Sequence, residues 1–395
     1  MWYFTSPRII FGEAALSSLE DVSMCRALVV TDKNLVQLGI INPVLDLIKK
    51  GGCEVMIFDD VAPDPTLASV HLGTAAANDF QPDWIIGLGG GSPMDTAKAV
   101  WVLHERPDLV PAEINPFIEL GLRKKSRLIT IPTTSGTGAE VTWAIVLTDT
   151  ENKRKMGLGN RENVADIAII DPALAAGMPP QLTADTGLDA LTHAIEGFIC
   201  TWHTDLTDGL CLNAAREIFH YLPTAYEASL SDRPDQDMYL QAREKMHNAA
   251  TSAGLGFGNA MASLAHAMGH VLGSVFHIPH GRAVGLCLPY TIEFASRGED
   301  PSQITSLAQL LGIKGPESKL GDLLSSSLRD LAQKIENPLS LSKMGIEKTT
   351  FAEQLDKMVD DSFNDTQIIT APRAPSYQEL EKLFRCVYQG QTVDF

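Results

Sequence analysis

The chain changes its pattern near residue 180, and that change limits the fold more than any other feature. Up to about residue 172, short apolar runs at 27–31, 54–58, 84–88, 128–131, 141–147 and 167–170 alternate with helix-patterned stretches at 42–50, 67–78 and 93–103. Several of the apolar runs are continuous, as expected of parallel strands buried on both faces. A break at Asp171-Pro172 and Gly177-Met178-Pro179-Pro180 follows. From Leu182 onward the strand signals fade, and helices follow one another, interrupted at Gly, Pro and polar stretches such as 229–236. The pattern predicts an α/β domain over 1–180, with a doubly wound, mostly parallel, Rossmann-like sheet, and an all-α domain over 181–395.

At 395 residues the chain exceeds the ~250–300 residues beyond which a single core stops growing, which fits two domains. A net charge of −18 with no basic run excludes nucleic acid and anionic membranes as partners. No apolar run approaches the ~20 residues of a membrane span. The first eight residues lack the basic and apolar regions of a signal peptide. Six cysteines, at 25, 53, 200, 211, 287 and 386, form no CxxC pair and read as reduced packing residues. The expectation is a soluble cytoplasmic protein.

Gly89-Gly90-Gly91-Ser92-Pro93-Met94-Asp95 follows the buried run 84–88. Glycines here let the backbone approach a ligand, and Ser92, Pro93 and Asp95 suit N-cap, N1 and N3 of a helix. The free N–H groups of that helix start form a seat for a pyrophosphate. The alternative is a tight strand–helix turn with no ligand. The acidic residue that would bind the adenosine ribose is Asp32, which precedes the glycines instead of following them. Facing a ribose, its carboxylate favours NAD over NADP; its alternative role is an Asx cap. A second turn, Pro132-Thr133-Thr134-Ser135-Gly136-Thr137, would line the same carboxyl edge of the sheet.

The second half carries Asp189-x3-His193 and His266-x3-His270, with His280 ten residues further on. Spacing of i,i+4 sets two side chains on one helix face, roughly 5–6 Å apart at Cβ. One carboxylate with several imidazoles suits a divalent transition metal, not calcium or magnesium. His266-Ala267 lacks the glutamate of a zincin. Five candidates exceed a tetrahedral set, and an imidazole beside the metal suits proton transfer at neutral pH, the part that fits His270.

With these motifs in hand, the chain resembles the iron-containing (group III) alcohol dehydrogenases over nearly its whole length. The resemblance is carried by Val30-Thr31-Asp32-Lys33-Asn34, Gly89 to Asp95, Pro132 to Thr142, Gly187 to Glu196, and His266 to His270 with Pro279-His280-Gly281. It implies a dinucleotide-binding domain, a helical catalytic domain, and an active site in the cleft between them. It also implies a metal held by Asp189, His193, His266 and His280, with His270 as proton relay. Asp32, Gly89, Gly90, Gly91, Ser92, Asp95, Thr133, Thr134, Thr137 and Lys155 match nucleotide-contacting positions.

The reaction so implied is reversible, NAD(H)-linked interconversion of a small primary alcohol and its aldehyde. Hydride passes between nicotinamide C4 and the substrate carbon while the metal polarises the substrate oxygen. Ferrous iron fits because it accepts more than four ligands, although zinc or another divalent ion binds such sites well. NADP(H) is disfavoured by Asp32. Family members form homodimers or larger assemblies. Glycerol-dehydrogenase and dehydroquinate-synthase relatives use zinc with fewer histidines, so the full Asp-His-His-His set sets them aside. Ala144 stands where some diol-reducing members carry Asn, which points to a less polar pocket.

Overall fold

The computed structural model describes residues 3–150, 154–233 and 236–395. Met1 and Trp2 of the N-terminal stretch, and Pro234 and Asp235 of the polar break at 229–236, lie outside the described residues. The chain divides into two compact units, Met1–Gly177 and Met178–Phe395.

The first unit is built on a six-stranded, all-parallel sheet of β1 (Arg8–Phe11), β2 (Arg26–Val30), β3 (Glu54–Phe58), β4 (Trp84–Gly89), β5 (Arg127–Pro132) and β8 (Ile167–Ile170), in the order β1-β8-β5-β4-β2-β3. The continuously apolar strands are those buried on both faces: β4 and β8 are buried throughout, and β2 and β5 at all but their first residue. Helices α1 (Lys33–Gln37), α2 (Asn42–Lys50), α3 (Leu67–Phe80) and α4 (Gly91–Glu105) connect them. From β2 the chain runs outward to β3, crosses back to β4, then continues away to β5. The directions therefore diverge at the neighbouring pair β2 and β4, and ligands bind such sheets at the carboxyl ends of that pair.

The expected set of strands needs correction. The run 141–147 does not join the parallel sheet; β6 starts at Ala144 and ends at Asp149, pairing antiparallel with β7 (Arg154–Gly159). Its burial alternates, with Ile145, Leu147 and Asp149 inside, the period of a one-sided strand. Edge strand β1, paired only with β8, was not anticipated; with only four residues and both ends exposed, it lacks the apolar signature of the inner strands.

The second unit is helical among the described residues: α5 (Pro180–Ile199), α6 (Asp205–Leu230), α7 (Asp237–Asn259), α8 (Leu264–Phe276), α9 (His280–Ala295), α10 (Ser302–Leu310), α11 (Leu320–Lys334), α12 (Lys348–Phe363) and α13 (Tyr377–Gln389). Helix α5 packs against α6, α7 and α9 and is buried along nearly its whole length from Thr183. A helix covered on every side has no solvent for its polar residues, so Asp189, His193 and Glu196 must find partners inside. No helix among the described residues is long and apolar enough to cross a membrane.

Candidate active site

In the first unit, Asp32 follows β2 and the glycine turn follows β4, side by side at the diverging strand ends. Gly89 has φ +150°, and a Cβ there would lie 2.6 Å from Pro93 Cγ, so glycine is required. This bend starts the helix earlier than expected. The N-cap is Gly90 and α4 begins at Gly91, so Ser92, Pro93 and Asp95 are not its N-cap, N1 and N3. Pro93 is tolerated because a first-turn N–H has no intrahelical acceptor. The Ser92 hydroxyl instead donates to the Pro63 carbonyl.

The threonine turn closes against these glycines. Thr133 N donates to Gly89 O at 2.9 Å. A Cβ on Gly90 would lie 3.4 Å from Thr134 Oγ1, and one on Gly91 would lie 3.1 Å from Thr137 Cγ2. Thr134 Oγ1 is buried and makes no hydrogen bond within the described residues, while Thr137 Oγ1 accepts from Ala139 N. The fold thus brings Gly89 to Ser92, Thr133, Thr134 and Thr137 together.

The other three expected nucleotide contacts have local work of their own. Asp32 is the N-cap of α1, with Oδ1 accepting from Asn34 N at 2.9 Å and Leu35 N at 3.1 Å. Asp95 points inward: Oδ2 accepts from Val146 N at 2.9 Å and Oδ1 lies 3.4 Å from Lys98 Nζ. Burial pushes the Asp95 carboxyl up and the Lys98 ammonium down, each opposed by the other's charge. Lys155 Nζ pairs with Asp64 at 2.8 Å, next to the Pro63 that accepts from Ser92.

In the second unit, three helices bring four ligand atoms together. Asp189 and His193 lie on α5, His266 on α8, and His280 is the first residue of α9. Asp189 Oδ1 is 3.9 Å from His193 Nε2, 3.9 Å from His266 Nε2 and 3.5 Å from His280 Nε2. One ligand atom from each residue lies within 4.8 Å of all the others. Tetrahedral bonds of ~2.0–2.1 Å put ligand atoms roughly 3.4 Å apart, so the quartet is close to that size. The approach of α9 depends on Gly281, whose Cβ would lie 2.2 Å from Asp185 O and 3.0 Å from Asp189 Cβ. Arg282 holds the same turn by a two-pronged bond to Asp185, at 2.9 and 3.2 Å.

The residues fit a divalent cation on a direct observation. Asp189 Oδ1 and His266 Nε2, both facing the shared centre, are buried without a hydrogen-bond partner among the described residues. Such atoms are costly in a protein interior unless something satisfies them. Burial, and then the nearby Asp185, pushes the Asp189 carboxyl up to about 8. Burial, with His270 adding to it, pushes the His266 imidazole down to about 3. The second shift keeps an imidazole neutral and able to ligate; the first marks a carboxylate that lacks its counter-charge.

His270 stands apart from the quartet. Its ring centroid is 5.4 Å from that of His280, and its Nδ1 is bonded to Asp365 Oδ2 at 2.8 Å. His270 and His280 are the open side of the cluster, with side chains 24% and 36% exposed against 3–6% for the other three. Asp365 escaped the sequence reading because it lies 95 residues from its partner in a stretch without a pattern. Glu196 was read only as part of a motif. It is buried, accepts from Ser263 N and Ala265 N and is hydrogen-bonded to His266 Nδ1, and its carboxyl is pushed up to about 7 by burial despite the backbone bonds. Its position three residues after His193 was the available signal. Phe257, stacked on the His193 ring at 3.9 Å, had none.

Residues 6–172 match the family model described as iron-containing alcohol dehydrogenase. Residues 183–388 match the model for the C-terminal part of the Fe-containing alcohol dehydrogenase family. The chain is similar to the NADPH-dependent butanol dehydrogenase of Clostridium saccharobutylicum, 37% identical over 399 residues and all of both chains. Among solved structures it is similar to a 1,3-propanediol oxidoreductase, with TM-score 0.89 and 32% identity over 98% of this chain and 100% of that one. It is also similar to the sulfoacetaldehyde reductase of Bifidobacterium kashiwanohense in complex with NAD+, with TM-score 0.85 and 27% identity over 98% of each chain.

Proposed function

The chain belongs to the iron-containing alcohol dehydrogenase family and is an NAD(P)-linked alcohol dehydrogenase; from that premise we propose how its own residues divide the work. Asp189, His193, His266 and His280 hold a divalent cation, ferrous iron foremost. The observation that carries this assignment is the pair of buried, unpartnered atoms Asp189 Oδ1 and His266 Nε2 in a four-residue cluster. When bound, the nicotinamide carries the hydride and the cation polarises the substrate oxygen.

The remaining parts belong to the protein. The N–H groups of Gly91 and Ser92, at the start of α4, receive the pyrophosphate, with the hydroxyls of Thr134 and Thr137 beside it. Asp32 accepts from a ribose hydroxyl while its Oδ1 caps α1, which favours NAD(H); NADP(H), used by the butanol dehydrogenase, is the alternative. Asp95 acts at one remove by holding β6, and Lys155 through the segment around Asp64. His270, its Nδ1 held by Asp365, moves the hydroxyl proton at Nε2.

The substrate is a small primary alcohol or its aldehyde, without a second hydroxyl. Ala144 supports the less polar pocket, and the butanol dehydrogenase is the relative in keeping with it. Assembly as a homodimer or larger oligomer and cytoplasmic residence complete the proposal. They rest on the family resemblance and on the acidic, CxxC-free composition.

The test is protein stripped of metal, reloaded with ferrous iron without oxygen, and assayed on unbranched alcohols, diols and aldehydes with NADH and NADPH. Turnover restored by metal, higher on simple alcohols than on diols and higher with NADH, is expected. Full turnover by stripped protein, or by His266→Ala without metal, would reject the metal assignment.

A further inference from the structure

Glu196 lies on α5 three residues past His193 and is 1% exposed. Its Oε1 accepts from Ala265 N at 2.6 Å, and its Oε2 accepts from Ser263 N at 3.0 Å and lies in hydrogen-bond contact with His266 Nδ1 at 2.6 Å. All three partners belong to the start of α8, where Ser263, the N-cap residue, makes no side-chain cap bond. A carboxylate from α5 therefore stands in for the missing cap, and the α8 dipole favours its negative charge.

Capping alone accounts for the two peptide bonds but not for the third. With Glu196 accepting at Nδ1, His266 carries its proton there and presents a lone pair at Nε2. That atom faces Asp189 Oδ1 and has no other partner. The two ligands of α5 and the ligand of α8 are thus joined by one side chain that ligates nothing. Carboxylates behind metal-bound histidines orient the ring and raise its basicity.

We propose that Glu196 is the positioning residue of the metal centre: it fixes the protonation and orientation of His266 and ties the first turn of α8 to the ligand-bearing face of α5. The inference rests on the metal assignment made above.

The experiment uses the full-length protein, stripped of metal, with cobalt(II) as probe. Binding is followed by calorimetry and by the visible ligand-field spectrum. Wild type and His266→Ala come first: if wild type binds no cobalt, or His266→Ala binds it equally well, the metal assignment fails rather than the role of Glu196. Given wild-type binding, Glu196→Gln keeps the shape but loses the charge and one acceptor. Cobalt affinity is expected to fall about 10–100-fold, with an altered spectrum, in protein whose circular dichroism is native. Native-like Glu196→Gln that binds cobalt within about two-fold of wild type, with an unchanged spectrum, would overturn the proposal, because a purely structural cap would behave that way. Wild type supplies a second measurement that does not depend on Glu196→Gln folding. Imidazole ¹⁵N shifts of the metal-loaded protein, with the His266 signal assigned by its loss in His266→Gln, should show a protonated Nδ1. A bare Nδ1 sinks the proposal whatever the variants do.

Discussion

His270 Nδ1 lies 2.8 Å from Asp365 Oδ2, so a histidine of α8 is held by the short 3-10 turn that follows α12. The same carboxylate caps that turn, with Oδ1 accepting from Gln367 N at 2.8 Å. Burial pushes the Asp365 carboxyl up, but the His270 bond and charge outweigh it and hold the carboxyl below its ordinary value. The ring of the proposed proton carrier is therefore fixed by a group that stays ionised.

Asp365→Asn should separate those two tasks. Asparagine caps about as well as aspartate, so the turn should survive. The charge opposite the imidazole is lost, and with it part of the ~10²–10⁴-fold that a positioned proton carrier contributes. We expect kcat to fall by about ten-fold or more, with KM and bound metal little changed. Steady-state kinetics with metal analysis checks this, and an unaltered kcat would leave Asp365 a cap alone.

Asp189→Asn should invert the usual relation between a substitution and stability. Asp189 is 2% exposed, and its Oδ1 has no hydrogen-bond partner among the described residues. Removing the burden of a buried carboxylate should raise the melting temperature of the stripped protein above that of stripped wild type. Saturating metal should reverse the order, because only wild type gains from binding; ~100-fold excess over Kd contributes about 2.7 kcal/mol. Thermal melts with and without chelator decide it. A stripped variant that melts below stripped wild type contradicts the reading.

Asp32→Gly tests cofactor choice with little structural cost. Glycine at an N-cap loses only a few tenths of a kcal/mol relative to aspartate, so α1 should persist. Removing the carboxylate removes the repulsion of a 2′-phosphate, and the kcat/KM ratio for NADPH over NADH should rise. An unchanged ratio with unchanged melting would confine Asp32 to capping.

The α13 capping box gives a pH dependence of its own, through residues outside the Asp-His cluster. Ser376 Oγ accepts from Glu379 N, and Glu379 accepts from Ser376 N at 2.8 Å. That backbone bond is the main reason the Glu379 carboxyl sits below its ordinary value, with Arg373 adding to it. A depressed folded value means the stabilisation is full above the unfolded value of about 4.3 and disappears as pH falls through the folded one. Glu379→Gln should therefore melt lower than wild type near neutrality, and the two should converge in acid. A gap that persists at low pH would show that the charge is not its source.

Much of this molecule was written in the sequence because its cause is local. The continuous apolar run at 167–170 placed β8 at its observed limits, since a strand buried on both faces has no alternative pattern. The spacing Asp189-x3-His193 was enough to put both candidate ligands on one helix face, as α5 does. The glycine turn was legible too, although the start of its helix was not: it depends on the +150° φ at Gly89, and composition does not specify a dihedral.

What only the tertiary structure decided are the meetings between distant segments. Nothing near Asp365 in the chain marks it as the partner of His270, and nothing in the motif around Glu196 says that it reaches the first turn of α8. The assignment of β6 to its own two-stranded sheet is of the same kind, because strand pairing depends on which neighbour is available. Local sequence sets the periodicity of a segment and the chemistry it carries. Which buried charge meets which donor is settled by packing, since only the assembled core removes the water that would otherwise satisfy both.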